Sequence, residues 1–409
     1  SIWNYLDMKT YRDHMTEADM QSLADAGVTV PLGPSFDPND PAQKAHMLKM
    51  LDWAAARDMK LILWDPRCVG QIGKDGKPPA DYATGVKAAV ADFGKHPGLF
   101  GFFIGDEPNE DEMRAFAACQ RIQKEIAPHL HSFLNHEGGT GPGRDAYLDR
   151  CAKLSNCDLF GYDCYLQLQN PATQRVRGID RYFENLRTFR EASGRNGVPF
   201  WNTLLCIGHW MYSCPNLDEI RWQFNTSVAC GAQGISWFHW YLPKPDLNYR
   251  LPPVDEFWKE TQTYQDIRRV QQTFHKTYGN LFSHLVSTRV SFFPFACGNG
   301  SQEWTPNELL SGFVPQFGQG TPLVIGEFAD AEGRRYIMFV NNSQKKDACD
   351  HVKILFPKNV KLYVFDYGSE GKERPAGNYE GPRPDGDHIR DWRWLAPGQE
   401  AVYRVEIVK

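Results

Sequence analysis

The amino-acid sequence predicts an α/β fold, a (β/α)₈ barrel of the TIM type, followed by a C-terminal antiparallel β-sandwich. Up to about residue 278, short apolar runs alternate with amphipathic stretches, as expected for parallel strands joined by crossover helices. Eight such units occupy roughly 250 residues, the usual size of a closed barrel. Beyond about residue 285 the apolar runs become short, alternate with polar residues and are separated by turn residues, which is typical of an antiparallel sandwich.

The apolar runs give the barrel strands in chain order. We expect eight strands: Ile2–Met8, Val28–Leu32, Lys60–Trp64, Leu99–Gly105, His129–Leu134, Leu159–Tyr165, Pro199–Ile207 and Gly234–Tyr241. Helical periodicity of the apolar residues fills the intervals between them. The predicted helices are Ala42–Arg57, Asp81–His96, Glu110–Ile126, Ile179–Ser193 and Leu217–Gly231, with a last helix over 255–278.

An open, doubly wound sheet is the alternative to the barrel. Such sheets usually carry a glycine-rich phosphate loop after the first strand, whereas here the residues Met-Lys-Thr-Tyr follow at 8–11. We therefore expect a barrel over residues 1–284 and a sandwich over 285–409. The predicted sandwich strands are Pro322–Glu327, Arg335–Asn341, His351–Phe356, Val360–Tyr367 and Ala401–Val408.

The composition is that of an ordinary globular protein, with 42% apolar residues, 23% charged residues and a net charge of −5. This balance gives no reason to expect nucleic acid or an anionic membrane surface as a partner. No apolar run is long enough to cross a bilayer. The chain opens on Ser1 rather than Met, which is compatible with a removed leader and with export. The ten cysteines form no C-x-x-C pair, so we expect buried thiols, with Cys151–Cys157 or Cys206–Cys214 as candidate disulfides.

Active sites of such barrels form at the carboxyl ends of the strands, so the strand list predicts a residue list. Carboxylates, amides and aromatic rings dominate these positions, whereas cations are scarce. The candidate site residues are Asp7, Trp64, Asp65, Asp106, Glu107, Asn135, His136, Glu137, Tyr162, Asp163, Tyr165, Asn202, Trp237, His239 and Trp240. Sugar rings stack on aromatic faces and sugar hydroxyls pair with carboxylates and amides, so this profile favours a carbohydrate ligand. A phosphorylated substrate would need cations or helix N-termini.

The stretch Asp106-Glu107-Pro108 has two interpretations from the residues alone. Asp caps helices well, Pro suits a first turn, and three acidic residues follow at 110–112, so the stretch is compatible with a simple helix start. Alternatively, two adjacent carboxylates placed directly after a buried strand act on a substrate. Glu107 is the stronger catalytic candidate of the two.

Three segments resemble known glycosidases. Residues 105–108, Gly-Asp-Glu-Pro, resemble the Asn-Glu-Pro signature of retaining glycoside hydrolases of clan A, in which the Glu is the general acid/base. Residues 161–165 look like the strand-six segment of barrel glycosidases related to β-galactosidases, and residues 394–399 are similar to the last hairpin of sandwich domains appended to such barrels. The resemblance implies a glycosidase with Glu107 as general acid/base and with no metal or organic cofactor.

This sequence departs from the clan A pattern at strand seven. Clan A enzymes carry their nucleophilic Glu there, whereas this chain has Leu204-Leu205-Cys206-Ile207. Glycosidases of families 20 and 123, which the Asp-Glu pair also resembles, use the Asp to orient the substrate's own 2-acetamido group, and Tyr162 or Tyr165 would then bond the acetamide. Alternatively, Glu137 or Asp163 faces Glu107 as the second carboxylate.

We therefore expect a secreted, periplasmic or cell-surface enzyme that hydrolyses a glycosidic bond of an oligo- or polysaccharide. Two other functions stay open on the sequence. A barrel that binds glycans without cleaving them would explain the missing strand-seven acid. A metal-dependent hydrolase would use Asp65, Glu107, His136 and His239.

Overall fold

The computed structural model describes residues 1–169, 178–246, 248–315, 321–344, 350–376 and 382–408. The chain divides into two compact units. The first lies within Ser1–Arg175, Thr188–Cys214 and Gly234–Arg268, and the second within Val176–Arg187, Pro215–Gln233 and Arg269–Lys409. Among the described residues, no helix is both long enough and apolar enough to cross a bilayer.

The first unit is built on a sheet of seven parallel strands hydrogen-bonded in sequence order. They are β1 (Leu32–Ser35), β2 (Leu61–Trp64), β3 (Leu99–Asp106), β4 (His131–Glu137), β5 (Phe160–Asp163), β6 (Phe200–Leu205) and β7 (Gly234–Phe238). The N-terminal segment lies between the two outer strands. The Trp3 amide donates to the Trp237 carbonyl at 2.9 Å, and the Leu32 amide donates to the Ile2 carbonyl at 3.2 Å. This segment therefore takes the eighth position and closes the barrel.

The predicted barrel is confirmed, with two corrections near its start. The segment Ile2–Met8 makes only isolated bridges on both sides, to Trp237 and Ser35, and a helix already begins at Met8. The prediction of a strand at Val28–Leu32 is wrong, since β1 begins at Leu32. The Val28 amide donates to the Leu23 carbonyl, so this residue still belongs to the end of the preceding helix.

Helices separate the strands, as their periodicity predicts, although the last helix begins at Gln262 and not at residue 255. They are α1 (Met8–Tyr11), α2 (Glu17–Asp25), α3 (Pro41–Ala55), α4 (Tyr82–Phe93), α5 (Glu110–Ile126), α6 (Pro142–Ser155), α7 (Gly178–Asn196), α8 (Leu217–Ala229) and α9 (Gln262–Tyr278), with short 3₁₀ turns at Arg12–His14, Leu166–Leu168 and Leu281–His284. Side-chain caps fix several starts. Thr16 and Asn216 each form a capping box that satisfies free backbone N–H groups.

Large aromatic side chains fill the barrel interior. Trp3 packs edge-on against Phe103 at 5.6 Å, and Phe133 lies 5.8 Å from Trp201. Trp64 packs against Phe103 at 5.0 Å. Because strand residues alternate between the two faces of a sheet, these positions fix which neighbouring residues face inward and which face the helices.

The second unit contains two antiparallel sheets that enclose an apolar core, as predicted for a sandwich. Its strands are β8 (Val286–Phe293), β9 (Gly312–Pro315), β10 (Leu323–Ala329), β11 (Arg335–Asn341), β12 (Asp350–Pro357), β13 (Val360–Phe365), β14 (Glu373–Pro375), β15 (Arg383–Asp385), β16 (His388–Leu395) and β17 (Glu400–Ile407). The six-stranded sheet has the order β14-β13-β17-β11-β10-β8, and the four-stranded sheet has the order β15-β16-β12-β9.

Helix α8 packs on the six-stranded sheet within the second unit. The Trp222 Nε1 donates to Asn342 Oδ1 at 2.9 Å, and the Asn225 amide donates to the Gly398 carbonyl at 2.9 Å. Gly398 has a φ of +67°, and a Cβ there would overlap the backbone of Trp222. A glycine in the turn before β17 is therefore needed both for its left-handed backbone and for the close approach of the helix.

The cysteines Cys151, Cys157, Cys206 and Cys214 are free thiols, so neither candidate disulfide is formed. Cys151 and Cys206 are fully buried, and burial raises the pKa of both thiols. They act as small apolar side chains in the packing of the first unit. Cys349 lies outside the described residues.

We expect Gly101→Ala to destabilise the barrel by about 3 kcal/mol, because a Cβ at this position of β3 would overlap the carbonyl oxygen of His131 on β4. Gly143→Ala in α6 is the matched control, since a Cβ there meets no atom within 4 Å and Ala favours a helix by roughly 1 kcal/mol. Urea unfolding of the two variants measures the difference. Equal midpoints would contradict the close approach of β3 and β4.

Candidate active site

The backbone turns sharply where β3 ends. Glu107 has a φ of +44°, which is unusual for a residue with a side chain, and its amide donates to the Asn135 carbonyl at 2.8 Å. Both Asp106 and Glu107 are exposed at the carboxyl end of the strand. The strained turn holds two successive carboxylates at the mouth of the barrel.

The helix that follows does not use these carboxylates. Asn109 caps α5 through hydrogen bonds from the amides of Asp111 and Glu112, and Glu112 completes the capping box by accepting from the Asn109 amide at 3.0 Å. The interpretation of Asp106 as the helix cap is therefore wrong. The physical reason is that Asn109 lies closer to the helix start and satisfies its free N–H groups.

Asn135 at the end of β4 links two of the predicted carboxylates. Its Nδ2 donates to Asp106 Oδ1 at 2.9 Å and to Asp163 Oδ1 at 2.7 Å. The residue itself is buried, with 2% of its surface exposed. One amide from the middle strand thus fixes the carboxylates of both neighbouring strands, β3 and β5.

Asp163 in turn makes a side-chain hydrogen bond with Glu107. Burial, and then the negative charge of Glu107, raise the pKa of Asp163 well above its ordinary value. Although both side chains reach solvent, partial desolvation by the surrounding protein raises the pKa of Asp106 and of Glu107. The charge of Asp106 adds to the rise at Glu107, and the hydrogen bond with Asp163 opposes it. Because two touching carboxylates resist carrying two negative charges, the Glu107–Asp163 pair holds its last proton to a higher pH than an isolated carboxyl group does.

A wall of aromatic side chains surrounds these carboxylates. Tyr165 lies 5.9 Å from Tyr212 and 5.5 Å from Phe238, ring to ring. Burial, and then Asp163 and Asp106, raise the pKa of the Tyr165 phenol. Half-exposed Tyr5 packs on Phe238 and is close enough to Asp106 for that charge to help raise its own phenol pKa.

His209 and His239 extend this wall. His209 stacks on Tyr249 at 5.2 Å, and His239 lies 5.3 Å from the same ring. Burial lowers the pKa of His239 to about 4, so its ring is neutral at neutral pH. Trp210, 66% exposed, follows His209 on the same loop.

Four aromatic residues of this mouth were not among the predicted site residues: Tyr5, His209, Tyr212 and Tyr249. Tyr5 has a sequence signal, because it lies two residues before Asp7 near the end of the first predicted strand. His209 directly follows the seventh predicted strand. Tyr212 and Tyr249 lie in irregular segments, where no periodicity indicates direction.

Several predicted site residues lie elsewhere. The side chains of His136 and Tyr162 point to the helices, because the neighbouring strand residues face inward. His136 contacts the Tyr147 hydroxyl of α6 at 3.2 Å. Tyr162 stacks on Phe189 of α7 at 3.9 Å. Burial lowers the pKa of His136 to about 3. Asp65 is fully buried in an ion pair with Arg67 at 2.7 Å. The structure therefore does not bring these three residues to the carboxylates.

The remaining predicted site residues also lie away from the carboxylates or have structural roles. Trp237, Trp240 and Asn202 are buried, and Trp240 packs against Tyr264 of α9 at 5.9 Å. Trp64 belongs to the aromatic filling of the barrel. Asp7 accepts from the Thr10 amide at 2.8 Å as the cap of α1, and it lines an open groove of about 480 Å³ together with Ser35, Phe36 and Pro66.

Glu137 at the end of β4 is 71% exposed and lies 3.8 Å from Arg144. Its charge contributes to raising the pKa of Glu107, although it ranks after burial and Asp106. The residues named for a metal-dependent reaction do not converge, because Asp65 and His136 are engaged as described above. In the part of the chain that the structure describes, no group of three or more His, Cys, Asp or Glu side chains is arranged to hold a metal ion.

No protein-family model matches the sequence, and no curated protein matches it either. Solved structures do match. A glycoside hydrolase of family 5 from Bacteroides vulgatus aligns over 97% of this chain and 86% of its own, with a TM-score of 0.58 and 13% identity. This match shows the same fold over nearly the whole chain, a barrel followed by a sandwich.

Two further structures match a smaller share of the chain, with lower TM-scores. A β-galactosidase from the psychrophilic Marinomonas ef1 aligns over 63% of this chain with a TM-score of 0.48 and 13% identity, and this chain covers 57% of its length. An endoglucanase from Pseudomonas stutzeri aligns over 63% of this chain and 85% of its own, with a TM-score of 0.45 and 16% identity. The structural neighbours are thus family 5 glycoside hydrolases and β-galactosidases at low identity.

Proposed function

We propose that this protein is a glycoside hydrolase in which Glu107 is the general acid. The observation that carries the proposal is the contact between the carboxyl groups of Glu107 and Asp163 at the carboxyl end of the barrel strands. A general acid must hold its proton near working pH, and a shared proton on a pair with raised pKa values meets this need. A glycosidic oxygen is the leaving group that such an acid serves.

The neighbouring groups have distinct roles in this proposal. Asp163 keeps the proton on the pair, and Asn135 positions Asp163 through its 2.7 Å hydrogen bond. The aromatic wall that contains Tyr5, Tyr165 and Tyr212 offers ring faces for a sugar. These groups support an oligo- or polysaccharide substrate.

The second reactive carboxylate is assigned by elimination. Asp163 touches Glu107, whereas opposing carboxylates in retaining enzymes need about 5–5.5 Å between them, and more for inversion. Glu137 is exposed and faces Arg144. Asp106 remains, held by Asn135 at 2.9 Å beside the acid. We propose that Asp106 orients a 2-acetamido group of the substrate, which then attacks the anomeric carbon as the nucleophile.

A panel of aryl glycosides with and without a 2-acetamido group tests this function. Hydrolysis confined to the 2-acetamido substrates would support both the activity and substrate assistance. Cleavage of glycosides without a 2-acetamido group would be compatible with Glu107 as the general acid but would reject substrate assistance. Glycan binding that persists in Glu107→Gln, without turnover of any aryl glycoside or natural glycan, would instead favour the non-catalytic binding protein.

Asp106→Asn is expected to lower kcat on 2-acetamido substrates by about 10²–10³-fold, because the amide cannot take up the developing positive charge on the acetamido group. KM should change little, since Asn keeps the size of the side chain and can still accept from Asn135. Asp111→Asn, four residues beyond the acid in the exposed first turn of α5, is the matched control. A variant that retains full activity would exclude Asp106 from the reaction.

A further inference from the structure

The outer face of the four-stranded sheet carries an ordered row of aromatic side chains. Residues on β12 and β16 alternate between the core and this face. Ile354 and Leu395 are buried in the core, whereas Trp394 lies opposite His351 and Trp392 lies opposite Lys353 on the outer side. This face belongs to the second unit and contains none of the residues of the candidate active site.

The three rings form a stack. His351 lies face to face with Trp392 at 4.3 Å and with Trp394 at 4.4 Å, with interplanar angles of 23° and 8°. Trp392 is 38% exposed and Trp394 is 61% exposed. The imidazole thus holds both indoles in fixed orientations, and much of the Trp394 ring is left open to solvent. Adjoining exposed rings that are flanked by charged residues are typical of a ligand-binding surface.

Cations occupy the other end of the same face. Lys353 and Arg390 lie over the Trp392 ring, at 5.7 and 6.0 Å from its centroid. Arg383 is opposite Arg390 in the neighbouring strand. Among the described residues of this part of the face, Asp385 supplies a carboxylate, which pairs with Lys353 at 2.6 Å and approaches Arg390 at 3.9 Å. Asp387 lies in the turn beyond the strands.

Among the described residues, Lys353 and Arg390 share one carboxylate, that of Asp385, at this end of the face, on a chain whose net charge is −5. The charge of this end is complementary to an anionic ligand. Because Trp394 and Arg390 are four positions apart on one strand, a ligand that touches both must span about 13 Å.

We propose that this face binds a glycan chain that carries carboxylate groups. One sugar ring packs on the open side of Trp394, and carboxylates further along the glycan chain meet Lys353 and Arg390. The pre-ordered stack lowers the entropy cost of binding. A single-stranded nucleic acid fits less well, because it needs several free ring faces in succession and this stack offers one. The inference concerns binding alone and does not require Glu107 to be the general acid.

Affinity electrophoresis of the full chain, with Glu107→Gln as the background that prevents turnover, tests the proposal. Native gels contain carboxymethylcellulose, polygalacturonate or alginate, and hydroxyethylcellulose serves as the neutral polymer. We expect retardation by at least one carboxylated polymer and not by hydroxyethylcellulose. Trp394→Ala should raise the dissociation constant by about tenfold or more. Arg390→Gln, which keeps the stack, should weaken binding and its dependence on salt.

Tyr367→Ala is the matched control, because Tyr367 is a 65% exposed aromatic residue of the same unit that lies beside Lys276. It should bind like the Glu107→Gln parent. All variants should keep the unfolding temperature of that parent. When Glu107 is restored, each variant should hydrolyse aryl glycosides at the wild-type rate. Failure of all three carboxylated polymers to retard the parent would overturn the proposal. Equal retardation by the neutral polymer, or retardation that Trp394→Ala does not change, would also overturn it. The same holds if Trp394 is needed only for a mobility shift with oligodeoxythymidylate, or only for formation of a dimer.

Discussion

Replacing Glu107 by Gln is expected to reduce kcat/KM on aryl glycosides with poor leaving groups by about 10²–10⁴-fold. Gln keeps the shape of the side chain but has no acidic proton to give to the departing oxygen. On a 2,4-dinitrophenyl glycoside, whose leaving group departs without protonation, the loss should shrink to less than about tenfold. Steady-state kinetics across a leaving-group series measures this difference, because kcat/KM reports the first irreversible step.

Glu110→Gln is the matched control for that series. Glu110 lies three residues beyond the proposed acid, at the start of α5, and pairs with Arg150 at 2.9 Å on the surface. Its variant should stay within about twofold of the wild type on every substrate, since an exposed ion pair contributes little. A loss at Glu107 that is the same for good and poor leaving groups would contradict general acid catalysis.

Asp163→Asn is expected to move the alkaline limb of the kcat/KM profile to lower pH. In the wild type, burial and the charge of Glu107 raise the pKa of Asp163, so the pair gives up its last proton at a higher pH than a single carboxyl group would. Asn carries no charge, and Glu107 then loses its proton without a second carboxylate to oppose it. Activity of the variant should therefore approach that of the wild type at acid pH and fall behind as the pH rises. An unchanged alkaline limb would exclude proton sharing.

The same substitution is expected to stabilise the fold at alkaline pH. The folded-state pKa of Asp163 lies above its ordinary value of 3.8, so the wild type loses stability as pH rises from that value through the folded-state pKa. Asn has no such dependence, and it can still accept from Asn135. The gain in unfolding temperature should therefore be larger at pH 8 than at pH 5. Asp145→Asn, a surface carboxylate paired with Arg195, should show no comparable trend.

The barrel could be predicted from the sequence because its strands are continuous apolar runs that end in polar residues. The same runs placed Asp106, Glu107 and Asn135 at one end of the sheet, where the structure brings them together. The apolar runs do not show to which face of the sheet each side chain points. His136 and Tyr162 also follow strand ends, but whether a residue faces the mouth or a helix depends on the exact register, which a fully apolar strand does not reveal.

The sandwich shows a second limit. Strand β16 was not predicted, because two of its inward residues, Asp391 and Arg393, are charged and break the apolar alternation. In the structure, Arg393 pairs with Asp391 at 2.8 Å, and both hydrogen bond to the Tyr403 hydroxyl inside the unit. A buried polar group is tolerated when its partners are present, and here the Tyr403 hydroxyl comes from β17 of the other sheet.

The three strands that carry Asp106, Glu107, Asn135 and Asp163 are neighbours in the sheet and consecutive in the chain. The proton chemistry proposed here is thus encoded in one short stretch of sequence, whereas Tyr5, Tyr212 and Tyr249 come from segments outside it. Substitutions or insertions in those outer segments can alter which sugar is accepted while the acid and its supports stay intact. The fold thereby separates what must be inherited unchanged from what is free to diversify.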